Sequence, residues 1–155
     1  MLMDPHSKQP ADDLVSILQS RLGERIDEFQ IPPPVFAEME GEFIAFDQAE
    51  GWLRTRFPIK PDYLNPYQTM QGGMIAAAVD NTLGPLSMLI APPNVTRTLE
   101  MKYSRPIPID LGHILILARF LGREGRVLRF TGEVRSENGA LLARAKATHW
   151  ITREE

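Results

Sequence analysis

The rhythm of hydrophobic positions changes twice along the chain. Val15, Leu18, Leu22 and Ile26 recur at the spacing of one helical face, with Asp12 or Asp13 placed to cap that helix. The run Ile31-Pro32-Pro33-Pro34 stops it, because proline has no N–H to give a helix interior. Two short strand-like stretches follow, 42–46 and 52–58, separated by Gly51 and acidic residues in the manner of a hairpin. A loop rich in turn formers, 60–67, then leads to Gly72-Gly73 and the apolar run 74–79, whose three alanines favour helix over strand. Only Asp80 and Asn81 interrupt its apolar character, which predicts a buried central helix, interrupted or kinked near Gly84-Pro85 and ended by Pro92-Pro93.

From Val95 onward the pattern is strand-like, over 95–103, 113–121, 126–134 and 140–151. Turns fall at Arg123-Glu124-Gly125 and at Glu137-Asn138-Gly139, where Asn-Gly predicts the positive φ pair of a type I′ hairpin. In the last strand Leu141, Ala143, Ala145 and Ala147 share a face small enough for a helix to lie close. Two strands, a buried helix and four long antiparallel strands are satisfied by one sheet wrapped around one helix, an α+β arrangement. The chain of 155 residues divides into a tail and helix over 1–36 and one domain over 37–155, with no room for a second full domain.

Composition narrows the functions. With 43% hydrophobic and 24% charged residues the chain is globular in type, and the absence of cysteine removes disulfides, thiolate nucleophiles and cysteine-based zinc sites. The polar, proline-broken start resembles no signal peptide, and no run approaches the roughly 20 apolar residues that span a bilayer. A soluble, cytoplasmic protein with no membrane association is expected. Seventeen basic against twenty acidic residues, a net charge of −3, argue against a nucleic-acid partner.

The chemistry concentrates between Asn65 and Asn81. Gly72 and Gly73 at a helix start leave backbone N–H groups bare at the positive end of the helix dipole, a ready oxyanion hole or anion contact. The glycines equally permit close packing of helix on sheet. Asp80, inside an otherwise apolar helix, is costly to bury unless partnered or functional. It reads either as a structural cap or ion pair, or as the nucleophile or base that attacks a thioester. Eight residues separate Gly72 from Asp80, about 12 Å along a helix. Both cannot touch one carbonyl, so if both act, each site is shared between two subunits across a two-fold axis and an obligate homodimer follows.

These residues carry a resemblance. The stretch Asn65-Pro66-Tyr67-Gln68-Thr69-Met70-Gln71-Gly72-Gly73-Met74-Ile75-Ala76-Ala77-Ala78-Val79-Asp80 resembles the hotdog-fold thioesterases of the phenylacetate-degradation (PaaI-like) type. So do Val95-Thr96-Arg97-Thr98-Leu99-Glu100-Met101-Lys102-Tyr103-Ser104-Arg105-Pro106, residues 122–128 and Gly139-Ala140-Leu141-Leu142-Ala143. The likeness covers roughly residues 37 to 152. It implies a hotdog fold, Asp80 as nucleophile or general base, the Gly72 amide as oxyanion donor, Asn65 orienting the water or the carbonyl, and Thr96 holding water or the acid. It further implies aryl- or medium-chain acyl-CoA substrates, no metal and no cofactor (coenzyme A being part of the substrate), and dimers that pair into tetramers. Two positions depart from the family pattern. Gln71 stands where a histidine usually precedes the glycines, and Gly84-Pro85 falls in the second half of the central helix. The N-terminal helix, outside the family core, either covers the pocket or packs on the sheet.

Rival chemistries find less support. His6, His113 and His149 are not placed beside an acid as a dehydratase requires, and read as surface or packed residues. Gly-x-Ser-x-Gly is absent, against an α/β-hydrolase. Arg105, Arg123 and Arg126 are candidates for the phosphates of a CoA nucleotide, or ordinary exposed arginines at strand ends. A non-catalytic acyl-CoA binding or sensing protein on the same fold is the alternative to an enzyme, and Gln71 is its best motive.

Overall fold

The computed structural model describes residues 9–154, with side chains from Leu14 onward. The tail with His6, and the Asp12 and Asp13 side chains expected to cap the first helix, lie outside the described residues. Helix α1 (Ala11–Leu22) is followed by a short 3-10 turn. It ends earlier than the spacing of Ile26 suggests because Gly23 adopts φ +55°, a left-handed conformation that closes a helix. A short helix α2 (Pro34–Glu38), unannounced by the pattern, starts on proline at its first position, where the missing N–H costs nothing.

Seven strands form one antiparallel sheet: β1 (Gln9–Pro10), β2 (Glu42–Asp47), β3 (Trp52–Pro58), β4 (Asn94–Tyr103), β5 (His113–Glu124), β6 (Val127–Arg135) and β7 (Leu141–Ile151). Their order is β1-β2-β3-β5-β6-β7-β4, so among the described residues β4 is an edge strand paired only to β7. Helix α3 (Gly72–Ile90) lies against the concave side, burying Ile75, Val79, Leu83 and Leu86 against Phe57, Ile116, Ala118 and Phe130. By length and apolarity alone α3 could cross a membrane, but half of it is buried in this core. A buried hydroxyl pair, Thr55 to Thr82 at 2.7 Å, ties it to β3, with Thr82 also donating to Ala78 O.

Three local expectations change. Helix α3 runs through Gly84-Pro85 without interruption; what the proline removes is the N–H that the Asn81 carbonyl would have received. The Asn138-Gly139 turn is not type I′, since only Gly139 has positive φ (+92°). Gly139 N–H to Ser136 O (2.9 Å) and Ser136 N–H to Ala140 O (3.0 Å) instead make a type I turn closed by a glycine bulge. The small-residue face of β7 is Ala143, Ala145 and Ala147, with Leu142 rather than Leu141 in the core, because the register against β6 shifts next to Arg135. Helix α1 joins the same core through Leu14 and Leu18, which are fully buried.

Candidate active site

Helix α3 positions two groups eight residues apart, Gly72 at its start and Asp80 near its middle. At its start Gln71 is the cap residue (φ −61°, ψ 138°) and contributes no side-chain cap bond. Its own N–H reaches Tyr63 O at 2.7 Å, while the Gly72 and Gly73 N–H groups have no acceptor among the described residues. Tyr103, from β4, donates its hydroxyl to Gly72 O at 2.6 Å. Burial pushes the Tyr103 phenol above its ordinary value, so it stays a proton donor. A Cβ at position 72 would come within 3.1 Å of the Tyr103 ring, so glycine here serves close approach as well as bare N–H groups. The close-packing reading of the glycine therefore holds, and its N–H is bare among the described residues.

Asn65 stands beside this end, and its side chain organises its own loop. Oδ1 accepts from Tyr67 N (2.9 Å) and Thr69 N (3.2 Å), and Nδ2 donates to Thr69 Oγ1 (2.9 Å). The amide nitrogen carries a second hydrogen that this network does not use. Asn65, Gly72, Tyr103 and Arg105 line one cavity of about 330 Å³. Gln71 is exposed.

Two turns along, Asp80 is half-buried and forms no ion pair among the described residues; Thr96 Oγ1 donates to its Oδ1 at 2.8 Å. What aims Thr96 is a β-bulge. Thr98 and Glu100 pair with Thr148 and Lys146 on the outer face, but the register slips by one residue between Thr96 and Thr98. Arg97 is the extra residue, and Thr96 turns to the inner face beside its cross-strand partner His149. His149, 1% exposed, lies 3.4 Å from Thr96 Oγ1 through Nε2 and 2.8 Å from Asn94 Oδ1 through Nδ1. Sequence reading correctly allowed His149 to be packed, but missed that it joins Asp80. The signal was the alternation of Ala143, Ala145 and Ala147, which continues to position 149 on the same inward face.

An apolar cavity of about 210 Å³ opens beside Asp80, walled by Leu18, Phe29, Ile31, Phe43, Gly84 and Met88 among others. Gly84 meets no atom within 4 Å of where a Cβ would stand. The N-terminal segment therefore both packs in the core and covers this pocket. A larger cavity of about 440 Å³, between α1 and the start of β4, is not lined by Asp80. The Gly72 and Asp80 cavities share no residue, in keeping with the ~12 Å that eight helical residues span.

The three candidate arginines lie apart. Arg105 lines the Gly72 cavity. Arg123 is bound to Glu154 (2.7 Å) and Gly125 O (2.8 Å), and Arg126 sits exposed in the β5–β6 turn. Strand register sets them apart, since Tyr103 pairs with Ala143 whereas Asn94 pairs with Ile151 and Val127 with Trp150. One chain therefore does not gather all three. His113 faces Arg56 (3.2 Å) away from this network.

One antiparallel sheet wrapped on one long helix is the hotdog fold. Solved structures agree. A phenylacetic acid degradation-related protein from Ralstonia eutropha JMP134, assigned as a thioesterase, matches with a TM-score of 0.74 and 27% identity over 87% of this chain and 98% of that one. The PaaI protein of E. coli, from the phenylacetic acid degradation operon, matches with a TM-score of 0.73 at 13% identity, over 90% of this chain and 96% of that one. The smu.793 protein of Streptococcus mutans UA159, solved bound to acetyl CoA, matches with a TM-score of 0.68 at 20% identity, over 74% of this chain and 90% of that one. No family model matches the sequence, and no curated protein does at a significant level.

Proposed function

We propose that the protein is an acyl-CoA thioesterase whose two active sites are each shared between the subunits of a homodimer. The observation that carries this reading is Asp80, a half-buried carboxylate held by Thr96 at the wall of an apolar cavity. Thioesterase names among proteins of this fold, and acetyl CoA bound to one of them, support the same reaction class and ligand.

Asp80 acts as general base toward water, or as nucleophile toward the thioester carbon. The unpartnered Gly72 N–H, supplied by the other subunit, stabilises the charge that develops on the carbonyl oxygen. Asn65 has one amide hydrogen left to direct at the same oxygen or at water. The edge strand β4 supplies a route to the dimer. Its ten residues are mostly exposed, Val95 and Tyr103 among them at 56% and 48%, and its outer backbone edge is free for a second copy. Antiparallel pairing of two β4 strands would bring the Tyr103 and Gly72 end of one protomer to the Thr96 and Asp80 end of the other, and Arg105 toward the partner's β5–β6 turn, where both could meet CoA phosphates. The cavity beside Asp80 takes the acyl group. Its volume of about 210 Å³ and its mostly apolar walls suit an aryl ring or a medium chain.

The test is release of free thiol from a panel of acyl-CoAs by wild type and by Asp80→Asn. The reading expects hydrolysis by the wild type and a loss of about 10²- to 10⁴-fold in the variant, the usual contribution of a general base. Absence of cleavage by the wild type, with acyl-CoA still bound, would assign the chain to the non-catalytic binders that Gln71 suggests.

A further inference from the structure

The hydrogen bonds around His149 have a direction. Asn94 gives its amide N–H to Pro92 O at 2.8 Å, which turns its Oδ1 toward His149 Nδ1. An amide oxygen only accepts, so the ring carries its proton on Nδ1 and presents the Nε2 lone pair to Thr96. The Thr96 hydroxyl has one hydrogen and two acceptors, Asp80 Oδ1 at 2.8 Å and His149 Nε2 at 3.4 Å. Packing fixes the ring, whose centre lies 4.7 Å from that of Phe130. Burial pushes the imidazole pKa down, and Asp80, the charged group acting on it, opposes this less strongly. The ring is thus held neutral with Nε2 bare.

We propose that His149 is a positioning residue for thioester hydrolysis: its Nε2 is the second acceptor to which the Thr96 hydroxyl turns when Asp80 takes a proton from the attacking water. The proposal rests on Asp80 as general base. In the resting site Thr96 donates to the ionised carboxylate, the stronger acceptor. As the water oxygen bonds to the thioester carbon, one of its protons passes to Asp80, and the carboxylate loses the charge that held the Thr96 hydrogen. The hydroxyl then turns to Nε2, and its oxygen can accept from the new carboxylic acid. When the carbon–sulfur bond breaks, the proton on Asp80 passes to the departing thiolate, and the acyl group leaves as the acid carrying the water oxygen. Thr96 swings back, and His149 gains no proton over the cycle. Without an acceptor at Nε2, Thr96 would favour only the ionised form of Asp80 and oppose its protonation.

Two measurements on the full chain test this. In nitrogen-15 spectra of the histidine-labelled protein at neutral pH, His149 should show hydrogen on Nδ1 alone, with an Nε2 signal that moves in Asp80→Asn; hydrogen on Nε2 would overturn the proposal whether or not any activity is found. In kinetics, His149→Leu should lower kcat roughly tenfold at unchanged KM, the scale of one neutral hydrogen bond. His149→Gln, whose side-chain oxygen can accept from Thr96, should recover most of that loss. The Leu substitution should cost nothing further in a Thr96→Val background. Equal losses in both backgrounds, or equal rates for Leu and Gln, would overturn it, and the spectra decide the matter alone if the Leu variant does not fold. Should Asp80→Asn hydrolyse at the wild-type rate, the general-base reading falls; should it be inactive while His149→Leu is unaffected, only the role of His149 falls.

Discussion

The start of α3 can be set beside its middle, eight residues further on. At Gly72 the helix offers backbone, two N–H groups without acceptors, beside an exposed Gln71 and a loop whose Asn65 is mostly occupied with itself. At Asp80 it offers a side chain, already held by Thr96 and, behind it, His149 and Asn94. One place presents bare backbone donors, the other a side-chain network of four residues. Backbone donors need no support, because the helix itself orients them. A carboxylate has rotamers to choose from and must be fixed by neighbours.

The sharpest way to break this comparison is to disable each place separately. Gly72→Pro removes the N–H while keeping a residue favoured at the first helical position, and should lower kcat by about 10²- to 10³-fold, the cost of one oxyanion donor. Gly72→Ala keeps the N–H and carries the same crowding against Tyr103, so it separates sterics from hydrogen bonding and should lose far less. Mixing Gly72→Pro with Asp80→Asn subunits should restore roughly a quarter of wild-type activity, since half the dimers are mixed and each mixed dimer rebuilds one of two sites. No recovery after verified subunit exchange would refute a shared site. Next in size, Thr96→Val strips Asp80 of its donor. A hydrogen bond to a charged group contributes about 1.5–3 kcal/mol, so kcat should fall roughly 10- to 100-fold.

Smaller effects sharpen the picture. Gly84→Leu projects four carbons into the cavity beside Asp80, and at about 0.8 kcal/mol per displaced methylene the ratio of kcat/KM for octanoyl-CoA to that for acetyl-CoA should drop about tenfold or more. An unchanged ratio would place the acyl group elsewhere. The smallest effect concerns stability. The folded-state pKa of His149 lies below its ordinary 6.5. Between the two values the unfolded chain binds the extra proton, so stability rises with pH through that window and is lost as pH falls through the folded value. Melting temperatures measured downward from about pH 6.5 should decline, and His149→Gln should flatten the slope.

Much of this was legible from residues alone. The two short and four long strands and the central helix follow from the change of hydrophobic period, and the places of Gly72 and Asp80 on that helix from their spacing of eight residues. The places where the pattern misled are those where one residue alters phase or conformation. Arg97 is an ordinary strand residue in sequence, yet as a bulge it decides that Thr96 faces Asp80. Asn138 has the propensity for a type I′ turn, but a type I turn and bulge fit the loop instead. Gly84-Pro85 suggested an interruption or kink, and the helix continues through it to Ile90. His149 required two strands to be paired before its partners could be seen.

Phe29 and Ile31, which wall the acyl cavity, belong to neither the sheet nor α3. Asp80, Thr96 and His149, by contrast, sit within the ladder and the central helix. The cavity beside Asp80 thus has one wall, Phe29 and Ile31, outside the sheet and the central helix, and another, Phe43, Gly84 and Met88, within them. Under the proposed function, exchanging residues of that outer wall would reshape the acyl site while Asp80, Thr96 and His149 stay in place.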